Sequence, residues 1–418
     1  MRILWIIQIT LPSVAGAFGQ PEIAFGGWTG AMIEQLSRLS DLQVGVIMKG
    51  PGAALAKQRI GSVDYYLVPP AGRDGFDIAA QHLRWAIDDF GPDLIHAEGA
   101  EFAHTHTMMR EWPGPSLVSL QGVLAGYEPF EHGELPLDEL LASGRPALML
   151  LAAILHLKKR LRFRPRLAAE AETIGMARAL SGRTLWDRAH AYAINPGAGY
   201  FPCNRILRSA FYKAGPRTDF EPHSLFLGNG ASPRKGAHFA LRAVALLKRG
   251  YPGVKVYIAG ESPFPSSRRD WKKRLGYPAY LRRLIVELSL EDHVEFLGVL
   301  GPEKMAERMR GSHVYLLPSL IENSPNTLGE AMMLGVPVVS AYAGGAPDMA
   351  RDEVDALFYR PNDPQMLAYQ VKRVFDDAAL STRLTQSART RALHTHDPAR
   401  NRDLLLAAYR TILAEAAA

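Results

Sequence analysis

Short apolar runs alternate with amphipathic stretches along this chain, and this alternation constrains the fold more than any other feature. In the first half, strand-like runs cover Arg2–Ile9, Leu42–Met48, Val63–Val68, Asp93–His96 and Leu117–Leu120. Helical patterns such as Thr29–Leu39 and Ile78–Phe90 lie between them. Strands and helices in alternation are typical of an α/β domain built on a parallel sheet.

The alternation restarts in the second half. Strands are predicted at Ser224–Leu227, Val254–Ala259, Val294–Phe296, Val314–Leu317 and Pro337–Ser340. Helices are predicted at Ala237–Arg249, Tyr280–Leu288, Glu303–Met309 and Thr327–Leu334. Because 418 residues are too many for one ordinary domain, we expect two α/β domains.

Turn residues at Gly215-Pro216 and Glu221-Pro222 set the predicted boundary between the two. The domains are predicted at 1–218 and 219–397, with a terminal helix at 398–418 that packs back across the boundary. Two such domains facing each other form a cleft between the carboxyl ends of their strands, where open α/β sheets bind ligands.

The middle of the chain interrupts this pattern. A helical insertion is predicted at about 135–180, followed by a strand at Ala191–Ile194 and a helix from about Asn204. The start, Met1–Gly19, has some features of a signal peptide. Its short apolar stretch, broken by Gln8, favours a buried first strand instead.

The window from Pro318 to Pro337 carries the most chemical information. A strand ends at Pro318, a loop carries Glu322, and Pro325 and Asn326 are placed to begin and cap a helix. The amides of Asn326, Thr327 and Leu328 would then be available to phosphate oxygens. Glu330 follows one turn inside that helix, so one carboxylate can hold a sugar and the other a ribose.

This window resembles the Glu-x7-Glu pattern of the retaining family 4 glycosyltransferases, which have the GT-B fold of two Rossmann-like domains. Further matches are Ala331-Met332, Gly335 and Pro337-Val338-Val339. The resemblance implies that Glu322 contacts hydroxyls of the donor sugar and that Glu330 contacts the nucleotide ribose. An ordinary exposed helix start is the structural alternative.

A second segment, Gly228–Gly236, follows the first strand of the second half. Its cations Arg234 and Lys235 could neutralise a diphosphate leaving group, or form a solvated basic helix start. The family has the same Lys-Gly pair, which matches Lys235-Gly236. It often has an arginine five residues before that lysine, where this chain has Gly230, so Arg234 is the candidate replacement.

Three further segments resemble donor-contacting parts of the family. Gly344 and Gly345 form a glycine loop after the strand ending at Ser340, for which a plain tight turn is the alternative. Gly26 and Gly27 match the glycine loop of the first domain. Gln121-Gly122 stands where relatives have His-Gly, so a glutamine replaces a histidine that usually touches the sugar.

Two polar residues near these strand ends have open roles. Glu101 is a candidate for binding the acceptor or guiding its proton. His96 is either functional or a structural histidine whose hydrogen bonds are satisfied within the fold. Catalytic candidates are therefore Glu322, Arg234, Lys235 and Glu101.

Transfer with retention requires stabilisation of the leaving diphosphate while positive charge develops on the sugar. The sequence has no Asp-x-Asp motif, so we expect no divalent metal. No cofactor is expected either, because the nucleotide sugar is a substrate. No carboxylate is evident beside the anomeric carbon for a double displacement. The resemblance implies a front-face mechanism in which the leaving phosphate helps to deprotonate the acceptor.

Charge suggests where the acceptor lies. The net charge is +6, with a pI of about 9.3. The apolar segment Pro146–Leu157 is too short for the roughly 20 residues of a membrane span, but six cations follow it within Lys158–Arg166. Together with Arg268–Arg274, these form either a solvated basic face or a docking site for an anionic membrane.

The expected function is sugar transfer from a nucleotide diphosphate sugar, UDP-linked by default, to a glycan or polyprenyl-diphosphate-linked acceptor. A role in cell-surface polysaccharide biosynthesis fits this expectation. The protein would then be cytoplasmic and bound peripherally to the inner face of the cell membrane. Alternatives are a GT-B epimerase or phosphorylase, or a basic module that binds lipid or nucleic acid. Nucleic acid is not favoured, because aromatic and basic residues do not interleave on a strand. Cys203 is the single cysteine, which excludes an internal disulfide.

Overall fold

The computed structural model describes residues 1–21, 27–50, 52, 54–72, 77–142 and 146–418. The chain divides into two compact units. The first comprises Met1–Gly126, Phe163–Arg208 and His396–Ala418, and the second comprises Tyr127–Arg162 and Ser209–Thr395.

The first unit is built on a sheet that has eight strands within the described residues. Their bounds are β1 Arg2–Ile6, β2 Gln43–Lys49, β3 Ala56–Ile60, β4 Val63–Val68, β5 Leu94–Glu98, β6 Ser116–Ser119, β7 Ala179–Gly182 and β8 Gly199–Pro202. The order is β3-β4-β2-β1-β5-β6-β7-β8. Only the pair β3 and β4 is antiparallel, so the described sheet is a parallel sheet with one antiparallel edge strand.

The second unit has a six-stranded sheet in the part of the chain that is described. Its strands are β9 Glu221–Leu227, β10 Lys255–Ala259, β11 Val294–Gly298, β12 Ser312–Leu317, β13 Val338–Ala341 and β14 Leu357–Tyr359. They are all parallel, in the order β11-β10-β9-β12-β13-β14. Strands β12 and β13 are buried along their whole length, as expected where helices cover both faces of a parallel sheet.

The described α-helices are numbered in chain order. They are α1 Pro12–Ala15, α2 Gly27–Ser37, α3 Ala80–Phe90, α4 Ala103–Glu111, α5 Leu124–Tyr127, α6 Leu137–Leu141, α7 Pro146–Met176, α8 Leu185–Ile194, α9 Ser209–Lys213, α10 Ala237–Leu247, α11 Gly276–Glu287, α12 Pro302–Arg310, α13 Asn326–Met333, α14 Ala346–Met349, α15 Pro364–Asp376, α16 Ala378–Thr395 and α17 Pro398–Ala417. Short 3-10 turns include Pro233–Lys235 and Arg268–Arg274. None of these helices is both long and apolar enough to cross a lipid bilayer.

Most predicted elements are confirmed, but the strand at Ala191–Ile194 is wrong. Those residues end helix α8, which begins with a capping box in which Thr184 and Asp187 bond each other's backbone amides. The apolar run at its end belongs to a helix with one buried face. The helix predicted from about Asn204 begins only at Ser209, and strands β3, β7, β8 and β14 were not predicted.

The compact units differ from the predicted division at 218/219. The chain passes into the second unit at Ser209, and residues 127–162 of the predicted first domain also belong to the second unit. The terminal helix α17 belongs to the first unit, where its side chains Leu405, Tyr409 and Ile412 are buried. Burial of these apolar groups is what holds a terminal helix in place.

Candidate functional site

Helix α13 starts at the carboxyl edge of the second sheet. Strand β12 leads into the loop Pro318–Pro325, here called the acidic loop because it carries Glu322. Leu328 N–H donates to Pro325 O (3.0 Å), so the amides of Asn326 and Thr327 have no acceptor inside the helix. Two of the three amides that were predicted to be available to phosphate oxygens, those of Asn326 and Thr327, therefore remain so, and the amide of Leu328 does not.

The predicted capping role of Asn326 is wrong. Asn326 is the first helical residue, and the capping position belongs to Pro325, which has no side-chain acceptor. Asn326 Oδ1 is instead buried and has no hydrogen-bond partner in the described chain. Such an orphaned acceptor is costly, and a bound hydroxyl or amide could satisfy it.

Glu322 is joined to the loop Gly228–Gly236, here called the basic loop. Lys235 Nζ donates to Glu322 Oε1 (2.6 Å), and Ser319 Oγ donates to the same oxygen (2.7 Å). The Glu322 carboxylate is 8% exposed and the Lys235 side chain 27%. The structure thus brings together two residues that are far apart in sequence and were predicted to serve one donor.

Two glycines make this arrangement possible. Gly236 has a φ of 72°, and a side chain there would overlap the carbonyl of Pro318. Gly344 has a φ of 52°, and a side chain there would overlap the carbonyl of Glu322. Gly345 N–H donates to Glu322 O (2.9 Å). The glycine loop therefore supports the backbone of Glu322 directly, and both positions exclude larger residues.

Thr327 and Glu330 occupy different surroundings on α13. Tyr315 OH donates to Thr327 Oγ1 (2.7 Å), which orients the threonine beside Gly228 of the basic loop. Glu330 is only 1% exposed, and Leu328 is fully buried. The backbone amide of Thr327 is available for its predicted donor contact, whereas that of Leu328 already donates to Pro325 O.

The second cation of the basic loop has a partner that the sequence did not reveal. Arg234 Nη1 donates to Glu131 Oε1 (2.6 Å), and the Tyr127 ring lies 5.0 Å from the guanidinium carbon. The two residues of this ion pair are separated by 103 positions. No local pattern could have indicated it, because Glu131 lies in a stretch without strong periodicity.

The first unit has its own polar cluster at the carboxyl ends of β5, β6 and β7. Gln121 Nε2 donates to Glu98 Oε2 (3.1 Å), and Arg205 lies 3.8 Å from that oxygen. Arg183 donates to the carbonyl oxygens of Leu120 and Gln121. Burial raises the pKa of Glu98 despite both arginines. Predicted residue Gln121 thus orients a buried glutamate, and its neighbour Gly122 is buried.

Glu101 lies just beyond this cluster, between β5 and α4. Its Oε2 is buried and has no hydrogen-bond partner among the described residues. Burial is the main cause that raises the pKa of Glu101 to about 8, and the nearby Glu170 carboxylate contributes to this rise. Burial also raises the pKa of Glu170 to about 7, although it accepts hydrogen bonds from the amides of Leu124 and Ala125. A carboxyl that is protonated near neutral pH can donate or accept a proton.

Of the two alternatives for His96, a functional or a structural histidine, its hydrogen bonds favour the structural one. Its Nδ1 lies 2.6 Å from Tyr409 OH and its Nε2 lies 2.7 Å from Ser119 Oγ. Burial lowers the pKa of His96 to about 3, so the ring is neutral. Of the predicted glycine pair, Gly27 begins α2, whereas Gly26 lies outside the described residues.

Helix α7 exposes an apolar stripe beside its cations. Leu150, Ile154, Leu157 and Leu161 are 64%, 42%, 56% and 58% exposed, and their spacing places them on one face. Lys158, Arg160 and Arg164 are exposed on the same helix. As for metals, no group of three or more potential ligands occurs in the part of the chain that is described.

Comparison with known proteins finds a family match within the second unit. Residues 216–391 match the family model described as "Glycosyl transferases group 1". A D-inositol 3-phosphate glycosyltransferase of Acidothermus cellulolyticus is 30% identical over 46% of this chain and 41% of that protein. A putative colanic acid biosynthesis glycosyltransferase, WcaL of Salmonella typhimurium, is 29% identical over 41% of each chain. The chain thus covers about two fifths of these relatives' lengths.

Solved structures resemble the chain over nearly its whole length. Sucrose-phosphate synthase from Thermosynechococcus elongatus superposes with a TM-score of 0.71 at 16% identity, over 99% of this chain and 100% of that one. Anabaena HepE in complex with UDP-glucose gives a TM-score of 0.67 at 16% identity, over 98% and 100%. At this identity the likeness concerns the fold. The chain therefore has the GT-B fold, and its residues 216–391 match the glycosyl transferases group 1 model.

Proposed function

We propose that the protein transfers a sugar from a nucleoside diphosphate sugar to an acceptor hydroxyl, with retention of anomeric configuration. The ion pair between Lys235 and Glu322 at the start of α13 carries this proposal. In this proposal the cation serves the diphosphate and the carboxylate serves the sugar, and the ion pair supports it because the two groups lie 2.6 Å apart. The match of residues 216–391 to the glycosyl transferases group 1 model supports the same activity.

Each residue has a distinct part in the reaction. The bond between the anomeric carbon and the terminal phosphate oxygen breaks, while Lys235, Arg234 and the α13 amides stabilise the charge that develops on the diphosphate. The acceptor oxygen then bonds to the same face of the sugar, and its proton passes to the leaving phosphate. Glu322 orients the sugar hydroxyls, and Glu330 binds the ribose.

We also propose that the reaction needs no divalent metal. Two side-chain cations and the amides at a helix start supply positive charge where the diphosphate would lie. UDP is the favoured nucleotide, since HepE of the same fold was solved with UDP and with UDP-glucose. We further propose that the first unit binds the acceptor and that Glu101 binds its hydroxyl or guides its proton, which is supported by the Oε2 of Glu101, buried and unpartnered among the described residues.

The exposed stripe of α7 supports a lipid-linked acceptor. Leu150, Ile154, Leu157 and Leu161 would enter the interface of an anionic bilayer, and the exposed cations of the same helix would contact its headgroups. A polyprenyl-diphosphate-linked glycan presented at the inner face of the cell membrane would then be accessible. The likeness to WcaL, named for colanic acid biosynthesis, is consistent with cell-surface polysaccharide assembly.

Donor turnover tests the activity directly. Purified protein is incubated with UDP-, GDP- and ADP-sugars, with and without EDTA, and release of the nucleoside diphosphate is measured. We expect turnover of one nucleotide class, unaffected by EDTA, and a product whose anomeric proton coupling matches that of the donor. Inverted product would contradict retention, and no release or binding with any nucleotide would contradict the function.

Sedimentation with liposomes tests the membrane part separately. Binding to vesicles with and without phosphatidylglycerol is compared for the wild type and for a Leu150→Ser, Leu157→Ser, Leu161→Ser variant. The matched control replaces the equally exposed Leu185 and Tyr192 of α8 by serine. We expect loss of binding to anionic vesicles only in the α7 variant, whereas equal binding by all three proteins would exclude this docking surface.

A further inference from the structure

The donor-binding unit contains a segment from far upstream in the chain. Residues 127–142 belong to the second unit, where Leu135 and Leu140 are buried in the same core as Leu241 of α10. Asn362 Nδ2 donates to Glu134 Oε2 (2.6 Å). Arg283 donates to the carbonyls of Glu139 and Ala142. These contacts make the segment, here called the strap, an integral part of this unit.

A buried histidine places the strap beside the basic loop. His238 lies in the first turn of α10, directly after the loop, and its Nε2 donates to the carbonyl of Gly133 (3.1 Å). Its Nδ1 accepts from Tyr277 OH (2.9 Å). Burial lowers the pKa of His238 to about 3, so the ring is neutral and these two roles are fixed. The backbone next to Glu131 is therefore held at a fixed distance from Arg234.

Glu131 then acts on the arginine itself. The hydrogen bond of 2.6 Å to Glu131 uses Nη1 of Arg234, and the Arg234 side chain is 31% exposed. A guanidinium has five donors, so one edge can contact a carboxylate while the other contacts a phosphate. The Tyr127 ring, 5.0 Å away, restricts the side chain further. An arginine held in this way loses little rotamer freedom when an anion binds.

We propose that Glu131 is a positioning residue that presents Arg234 to the diphosphate of the donor, so that the donor site is incomplete without the strap. This inference rests on the proposed function. Glu131 itself touches no substrate in this proposal.

The test compares nucleotide binding by Glu131→Gln, Arg234→Ala and the double variant. Isothermal titration gives Kd for uridine, UMP and UDP, or for the GDP or ADP series if the wild type binds that one more tightly. We expect Glu131→Gln to weaken binding of the nucleoside diphosphate about tenfold, which is a typical coupling between contacting charged residues. Binding of the nucleoside should not change. In the Arg234→Ala background the Glu131 change should have no further effect.

Glu134→Gln is the matched control, because Glu134 lies in the same strap and bonds Asn362 rather than a cation of the basic loop. It should bind the diphosphate like the wild type. If Glu131→Gln lowers the melting temperature well below that of the control, Arg234→Lys provides the second variant. Lysine keeps the positive charge but cannot contact a carboxylate and a phosphate with two edges of one planar group, so this variant should weaken diphosphate binding to a similar degree.

Two outcomes would overturn the inference while leaving the function intact. Unchanged binding by Glu131→Gln would show that Arg234 needs no positioning. Tighter binding would show that Glu131 competes with the diphosphate instead of presenting the arginine to it. Failure of the wild type to bind any of the three nucleoside diphosphates would instead contradict the proposed function, and the inference with it.

Discussion

Lys235 Nζ lies 2.6 Å from Glu322 Oε1, and this largely buried ion pair joins the basic loop to the acidic loop. Glu322 is also held by two further contacts, because Ser319 Oγ donates to its carboxylate and Gly345 N–H donates to its carbonyl oxygen. Breaking a buried pair by removing one partner is costly, because the remaining charge loses its compensation. The pair therefore serves the architecture of the site as well as the proposed chemistry.

Replacing Lys235 by methionine should lower kcat/KM about a hundredfold, because the leaving diphosphate loses a preorganised positive charge. Donor turnover under saturating acceptor is the measurement. Lys304→Met, at an exposed position of α12, is the control and should behave like the wild type. Wild-type efficiency of the Lys235 variant would remove this residue from the catalytic site.

Glu330→Gln should raise KM for the donor about tenfold or more while changing kcat little, since the ribose contact is made equally before and during the transfer. Glutamine is chosen because Glu330 is 1% exposed and a shortened side chain would leave a cavity. Thermal unfolding separates loss of folding from loss of binding. A normal donor KM in a folded Glu330→Gln protein, or in a folded Glu330→Ala protein, would contradict the ribose assignment.

Gly344→Ala should displace Glu322 and reduce activity, because the new methyl group overlaps the Glu322 carbonyl and the position has a φ of 52°. Strain of this kind costs about 1–3 kcal/mol, so the melting temperature should also fall. Gly301→Ala is the matched control, because nothing lies within 4 Å of a methyl there and its φ is −66°. Equal activity of the two variants would refute the supporting role of the glycine loop.

Glu101→Gln should remove one component of the pH dependence of stability. Burial raises the pKa of Glu101 to about 8 in the folded protein, above the ordinary 4.5. Its protonated form therefore favours the folded state below the ordinary pKa, and this contribution is lost as pH rises through about 8. Relative to the wild type, the variant should gain melting temperature progressively between about pH 5 and about pH 9.

Chemical denaturation at several pH values provides the check. The exposed Glu415→Gln serves as control and should follow the wild-type curve. A constant difference between Glu101→Gln and the wild type at every pH would mean that the carboxyl titrates normally. If Glu101 also guides the acceptor proton, the variant should lose activity without any loss of donor binding.

Local sequence information was sufficient for the parallel strands that are long and apolar. It was insufficient for β7 and β8, which have four residues each and are stabilised by their neighbours in the sheet rather than by their own composition. Local sequence information was also misleading at Ala191–Ile194, where an apolar run predicted a strand that does not form. There the capping residues Thr184 and Asp187, seven and four positions before Ala191, start a helix that continues through the apolar run.

The sequence by itself determined the two α/β halves and the strand–loop–helix start that carries Glu322 and Glu330, because hydrophobic periodicity and helix-start signals are local properties of the chain. Only the tertiary structure decided that Glu322 pairs with Lys235, that Glu131 reaches Arg234 across 103 positions, and that His96 is held between Tyr409 and Ser119. Ion pairs and buried hydrogen bonds depend on which side chains the packing of distant elements brings within about 3 Å, and no local pattern encodes that distance.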